Sequence, residues 1–341
     1  MKKIAFRLDT GNSIGAGHFI RCMALADELS EISGYDIIFI CRNKLEQPSR
    51  YPVIYIEKPY VTKETIYEFP SIIDEMDELT DILNKENIDC LIVDHYGAKD
   101  DYFQKLKKFV PYLVCIDDSL ERHIPTDIVI NGNIFGADAE YGNIPLKLTG
   151  SSYLLLRPMF RNVAAPKNNA IVKDIYITSG GADPCEFCYR ISTELRNHFS
   201  DMNLHVIAGC SFSKKYIMKL QKLKLLIHQN ADMKECILNA DFFISSAGST
   251  LYELALCGVP SICYILAEDQ KLLAEYMSCR GSTYLGGNFQ SFCGQAFFHQ
   301  CQMLFSNRKK REKMSEHGKA LIDGFGAKRT AEKLFQFIRT P

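Results

Sequence analysis

Short apolar runs rich in β-branched residues alternate with helical patterns along this chain, and near its middle the alternation breaks off and starts again. Residues 4–8, 36–41, 53–56, 90–94, 112–117 and 128–131 read as strands, with amphipathic stretches such as 19–31 and 72–87 between them. Strand, helix and strand in succession place the second strand parallel to the first, so the pattern predicts βαβ units around a parallel sheet. Residues 174–178, 203–208, 224–228, 242–245 and 261–264 repeat it, separated by helices such as 185–199 and 250–257. Between the halves, 161–173 is polar, carries Pro166 and lacks apolar periodicity, which marks a linker. The expectation is an α/β chain of two Rossmann-like lobes, 1–162 and 163–341, with parallel sheets facing a central cleft. A closing amphipathic helix near 328–337 is expected to pack back on the first lobe.

Composition narrows the partners. The 341 residues suffice for two domains with ample core. Lys and Arg number 40 against 41 Asp and Glu, a net charge of −1, so nothing draws the whole protein to nucleic acid or an anionic membrane. The run Arg308-Lys309-Lys310-Arg311, broken by Glu312, reads as a solvated helix face. No apolar run approaches the ~20 residues that span a bilayer. The 13 cysteines are odd in number and often sit inside apolar runs, as reduced thiols do in a cytoplasmic protein. The single C-x-x-C, Cys185 to Cys188, lacks the second pair of a structural zinc site, so no metal is expected.

The first lobe's chemistry centres on Gly15-Ala16-Gly17-His18, between the opening strand and the first helix. Glycines without Cβ let the backbone turn tightly and approach a ligand. Open α/β sheets bind ligands at such strand–helix junctions. An imidazole there suits a general base near neutral pH, although from these residues alone a helix-start histidine making a capping contact is the more ordinary reading. The dinucleotide reading is weak: Ile20 replaces the third glycine, and Cys41-Arg42 ends the second strand where an acidic residue is wanted. Asp94-His95-Tyr96-Gly97 ends another strand, with Tyr96 facing the ligand and His95 structural. Asp117 and Asp118 are adjacent in an extended segment and point to opposite faces, so they do not share a metal. Arg7 and Asp9 help order the His18 loop.

In the second lobe, Ser179-Gly180-Gly181-Ala182-Asp183 follows a strand and offers backbone N–H groups to an anion, or else is an ordinary βα turn. Ser246-Ala247-Gly248-Ser249-Thr250 opens a helix suited to a diphosphate, with Glu253 placed for ribose hydroxyls. Thr250 and Glu253 also fit a capping box. Ala267-Glu268-Asp269-Gln270 follows the next strand with polar groups suited to a sugar.

Taken in order, Arg7-x-Asp9, Gly15-x-Gly17-His18-x-x-Arg21-Cys22, Asp94-His95-Tyr96-Gly97, Asp117-Asp118, Leu155-Leu156-Arg157-Pro158-x-Phe160, Ser179-Gly180-Gly181-x-Asp183, Ala247-Gly248-Ser249-Thr250-x-x-Glu253 and Ala267-Glu268-x-Gln270 resemble the UDP-2,4-diacetamido-2,4,6-trideoxy-β-L-altropyranose hydrolases of pseudaminic acid biosynthesis. The resemblance runs over roughly residues 4 to 337. It implies a two-lobed glycosyltransferase (GT-B) fold and metal-independent, inverting hydrolysis of a UDP-sugar to free sugar and UDP, with no cofactor. By that resemblance His18 is the base and Tyr96 lies beside the substrate. Gly180, Gly181, Gly248, Ser249, Thr250 and Glu253 hold UDP, and Arg7, Asp9, Gly17, Asp94, Asn133, Asp269 and Gln270 line the sugar. Asn131-Gly132-Asn133 departs from the family, where a glutamine stands between the asparagines. A glycosyltransferase of the same fold, using a UDP-sugar donor in surface polysaccharide synthesis, is the second reading. The expected partner is a small UDP-sugar, and a monomer is compatible with the sequence.

Overall fold

The computed structural model describes residues 2–10, 17–32, 34–45, 48–57, 70–163, 170–183 and 185–339. These form two compact units, Met1–Pro158 with Gly324–Pro341, and Met159–Asp323. The division falls a few residues before 162, and part of the expected linker, 164–169, lies outside the described residues.

The first unit carries β1 (Lys2–Leu8), α1 (Gly17–Ser30), β2 (Tyr35–Cys41), β3 (Val53–Tyr55), α2 (Met76–Lys85), β4 (Cys90–Asp94), α3 (Asp100–Leu106), β5 (Tyr112–Ile116), β6 (Ile128–Asn131) and β7 (Leu146–Thr149). The second carries β8 (Asp174–Thr178), α4 (Phe187–His198), β9 (Asn203–Ala208), α5 (Lys214–Gln221), β10 (Leu226–Gln229), α6 (Met233–Asn239), β11 (Phe242–Ser246), α7 (Thr250–Cys257), β12 (Ser261–Ile265), α8 (Lys271–Cys279), β13 (Tyr284–Asn288), α9 (Gly294–Ser306) and α10 (Arg308–Leu321). The last helix, α11 (Gly326–Arg339), belongs to the first unit. Its Ala327, Ala331, Leu334 and Ile338 recur every three or four residues and enter the core cluster of β1 and α1.

Both sheets are parallel, as expected. Their strand orders are β3-β2-β1-β4-β5-β6-β7 and β10-β9-β8-β11-β12-β13. Each is the doubly wound arrangement, in which the chain leaves its first strand toward one edge and then returns to build toward the other. The reversal lies between β1 and β4 in the first unit and between β8 and β11 in the second. Helices leave the opposite sides of these strands at such a point, and the gap they open is where ligands bind.

Two strands lie outside the expected set. β7 is short and half-buried. β13 carries Gly286 and Gly287, which weaken a strand pattern. Gly286 is needed because a Cβ there would meet the Tyr264 ring at 2.3 Å, and Gly287 has φ +123°. β10 starts two residues later than its pattern because Lys224 is left-handed, φ 54°. The stretch 72–87 opens with a 3-10 turn at Ile73–Glu75 and ends where Asn87 is left-handed.

The basic run needs correction. Asn307 caps α10 through the Lys310 N–H, and Arg308 pairs with Glu312, both at the surface. Arg311, however, is 1% exposed and donates to the Leu304, Phe305 and Ala170 carbonyls. It satisfies the open end of α9 rather than facing water. Among the described residues, no helix is long and apolar enough to cross a membrane.

Candidate functional site

Leu8 at the end of β1 is the register partner of Asp94 at the end of β4. The reversal in the first sheet therefore ends on the Asp94 carboxylate. α1 begins just beyond β1, and its His18, Arg21 and Cys22 lie three and four residues apart on one helix face. All three reach that carboxylate. His18 Nδ1 is 2.6 Å from Asp94 Oδ1, Arg21 donates through Nε and Nη2 at 2.6 and 2.5 Å, and the Cys22 thiol at 3.3 Å. Asp94 is 1% exposed. Burial works against its charge, but Arg21 and His18 outweigh it and hold the carboxyl well below its ordinary range. An ionised carboxylate only accepts, so the Asp94 contact is made by a proton on His18 Nδ1.

The adjacent strands bring more residues to this edge. β5 leads into Asp118 and β6 into Asn133. Asp118 accepts from Arg21 Nη1 at 2.8 and 2.9 Å, from the Tyr96 hydroxyl at 3.0 Å and from Asn133 Nδ2 at 2.7 Å. Burial is again outweighed by Arg21, which lowers the Asp118 carboxyl. Asp117 turns the other way, to Ser119, Arg122 and Tyr141. Tyr96 stands edge-on to the His18 ring, with centroids 4.7 Å apart at 80°. Asp118, then burial, push the Tyr96 hydroxyl well above its usual value, so it stays protonated. Gly97 lets this segment pass Pro70, whose carbonyl would lie 2.4 Å from a Cβ.

The structure therefore gathers His18, Asp94, Tyr96 and Asn133, together with Arg21 and Asp118, which lay in the quoted motifs without a site role. Asp94, expected against the sugar, instead faces inward and orients His18. Arg7 and Asp9 need a firmer correction. Both are 0% exposed. Arg7 donates to Glu75 at 2.6 and 2.5 Å, to Asp9 at 2.8 Å and to the Leu8 carbonyl at 2.7 Å. Asp9 also accepts from the Arg42 N–H, and His95 Nε2 is 3.3 Å away. This buried network turns Arg7 and Asp9 toward Glu75, Arg42 and each other and orders the end of β1. Gly15 lies outside the described residues. Gly17 opens α1, and a Cβ there would meet nothing within 4 Å. Gly132 is sterically required, since its Cβ would lie 2.5 Å from the Leu154 backbone; that excludes the family's glutamine from this backbone path.

In the second unit both glycine turns sit at the reversal between β8 and β11, and Ser246 Oγ donates to the Ser179 carbonyl to join them. Gly180 is left-handed, φ +89°, with open space where a Cβ would be. The two turns differ at the helix that follows. Asp183 accepts from the Phe187 and Cys188 N–H groups at 2.6 and 2.9 Å, so a carboxylate of the chain already fills the start of α4. The anion cradle expected there is thus closed at its helix end. α7 begins after Ser249, which makes no side-chain cap. Thr250 is its first helical residue, so the Thr250–Glu253 capping box does not form. The Leu251 and Tyr252 N–H groups turn back to the Gly248 and Ser249 carbonyls, and no carboxylate caps the α7 start through Ser249, so its helix dipole is the feature that attracts anions. Glu253 lies in that first turn, 8% exposed. After β12, Asp269 is exposed, while Gln270 Oε1 accepts from the Leu266 N–H at 3.0 Å.

No protein-family model matches the chain. An uncharacterized protein of Methanocaldococcus jannaschii, MJ1062, is 27% identical over 304 residues, covering 83% of this chain and 60% of that protein, so the chain spans about three-fifths of that relative. The UDP-2,4-diacetamido-2,4,6-trideoxy-beta-L-altropyranose hydrolase of Campylobacter jejuni is 28% identical over 298 residues, 82% of this chain and 97% of that protein. The spore coat polysaccharide biosynthesis protein SpsG of Bacillus subtilis is 24% identical, covering 93% of each. Among solved structures, Acinetobacter baumannii MurG matches with a TM-score of 0.68 at 14% identity over 98% of this chain and all of that one. Medicago truncatula UGT71G1, solved with UDP-glucose, matches with 0.68 at 13% over 99% and 98%. These two share the fold, two Rossmann-like units of GT-B type. The sequence relatives, the motifs and the paired parallel sheets agree in making the chain similar to the UDP-2,4-diacetamido-2,4,6-trideoxy-β-L-altropyranose hydrolases.

Proposed function

We propose that the protein hydrolyses a UDP-linked diacetamido-trideoxy sugar to free sugar and UDP, as a step of pseudaminic acid synthesis. The observation that carries this reading is the His18–Asp94 pair at the first sheet's reversal, with Nδ1 held at 2.6 Å from the carboxylate, which leaves Nε2 as the ring nitrogen to act as base. In the proposed step His18 Nε2 takes a proton from water as the water oxygen bonds to the anomeric carbon. The bond from that carbon to the diphosphate oxygen breaks, and UDP leaves with the electron pair. Attack opposite the leaving group inverts the carbon. Tyr96 walls the imidazole, and Asn133, held by Asp118, offers an amide to the sugar. The α7 start takes the diphosphate through Gly248, Ser249 and Thr250, with Glu253 on the ribose. Gly180 and Gly181 border it, and Asp269 and Gln270 serve the sugar. The helix dipole supplies positive potential for the departing diphosphate, so the step calls for no metal.

The test is UDP release from the diacetamido altrose donor with no acceptor present. Steady turnover supports hydrolysis. Release only after a polysaccharide or lipid acceptor is added establishes the second reading, a glycosyltransferase in which His18 deprotonates a hydroxyl, which the likeness to SpsG favours.

A further inference from the structure

Around His18 the densest set of polar contacts belongs to Arg21, which the proposed reaction leaves without a task. One edge of its guanidinium forks onto both Asp94 oxygens, at 2.6 and 2.5 Å. Nη1 reaches both Asp118 oxygens, at 2.8 and 2.9 Å. Asp118 passes the constraint on to the Tyr96 hydroxyl and the Asn133 amide. A planar guanidinium fixes the orientation of a carboxylate that it grips bidentately, which a lysine ammonium does not. Rotation of the Asp94 carboxyl would carry Oδ1 away from His18 Nδ1, and the fork opposes that rotation.

We infer that Arg21 is the positioning residue of the base: its two forks set Asp94 against His18 Nδ1 and, through Asp118, set Tyr96 and Asn133 around the same imidazole. This rests on the hydrolase reading for its kinetic consequence, while the orientation of His18 is observable without turnover. A loose base misplaced by about 1 Å loses up to roughly 10²-fold in rate although its chemistry is intact.

Arg21→Lys in the full chain tests it, with imidazole ¹⁵N NMR and steady-state kinetics side by side. In the wild type His18 should show one neutral tautomer, protonated at Nδ1. In Arg21→Lys the two tautomers should mix, and kcat for UDP release should fall roughly 10- to 100-fold while KM and UDP affinity change by no more than about 2-fold. A single unchanged tautomer with wild-type kcat overturns the inference. If Arg21→Lys loses its cooperative melt, Asp118→Asn decides: it frees one fork, and unaltered tautomer and rate there overturn the inference as well. If the wild type releases no UDP, the hydrolase reading fails, and the tautomer alone decides the role of Arg21.

Discussion

His18 Nδ1 stands 2.6 Å from Asp94 Oδ1, which joins the first turn of α1 to the end of β4 at the reversal of the first sheet. An orienting carboxylate acts by choosing which ring nitrogen keeps the proton. His18→Ala should cut kcat by roughly 10²–10⁴-fold while UDP still binds, the range for losing a general base. Asp94→Asn should approach the same loss, because an amide can present its own N–H to Nδ1 and move the ring proton to Nε2. Steady-state UDP release and calorimetric UDP binding check both. Near-wild-type turnover in His18→Ala removes it as the base.

α7 starts without a side-chain cap at Ser249 and carries Glu253 in its first turn. If that carboxylate accepts from ribose hydroxyls, Glu253→Ala should weaken UDP binding roughly 10- to 100-fold, as expected when a charge-assisted hydrogen bond of about 1.5–3 kcal/mol is lost. Titration calorimetry with UDP reads this directly. An unchanged Kd would show that the ribose is held elsewhere.

Acid should unfold the protein through identified carboxylates. Asp9, Asp94 and Asp118 all titrate below the ordinary range, because Arg7 or Arg21 outweighs the cost of their burial. The unfolded chain then binds more protons than the folded one below about pH 4–5, near the free carboxylate value. Stability is full above that window and is lost as pH falls toward the depressed folded values. Thermal melts from pH 7 to pH 3 should show Tm dropping below about pH 5. Asp9→Asn, although less stable at pH 7, should show a shallower drop. Equal slopes for the two proteins would mean that Asp9 contributes nothing to acid sensitivity.

Arg311 is a stability residue within a run of charges. Replacing it by Met keeps most of its volume but leaves the Leu304 and Phe305 carbonyls without their donor. The expected cost is about 1–3 kcal/mol, measured as a lower urea midpoint at constant m-value. A change below about 0.5 kcal/mol would restore the surface role that its spacing suggests.

Local pattern determined the element order, both parallel sheets and the position of His18 at a βα junction, because period-2 and period-3.6 alternation are properties of neighbouring residues. Thr250–Cys257, Cys90–Asp94 and Asp174–Thr178 have the limits that their patterns predict. β13 escaped because Gly286 answers to the Tyr264 ring on another strand and Gly287 to a positive φ. The motifs named the residues that converge on His18 but not how they divide the work. Asp94 and Asp118 meet Arg21, and Asn133 meets Asp118, only because β4, β5 and β6 lie side by side, and strand adjacency is a long-range outcome. Burial made the remaining decisions. Arg7 and Asp9 stand among the motifs with Asp94, yet they face Glu75 and Arg42 in a buried network. Of two similar glycine turns, Asp183 fills the helix start after one, while Ser249 makes no side-chain cap at the other. Which polar groups spend their hydrogen bonds inside the protein, and which keep them for a ligand, depends on neighbours that the linear chain does not place.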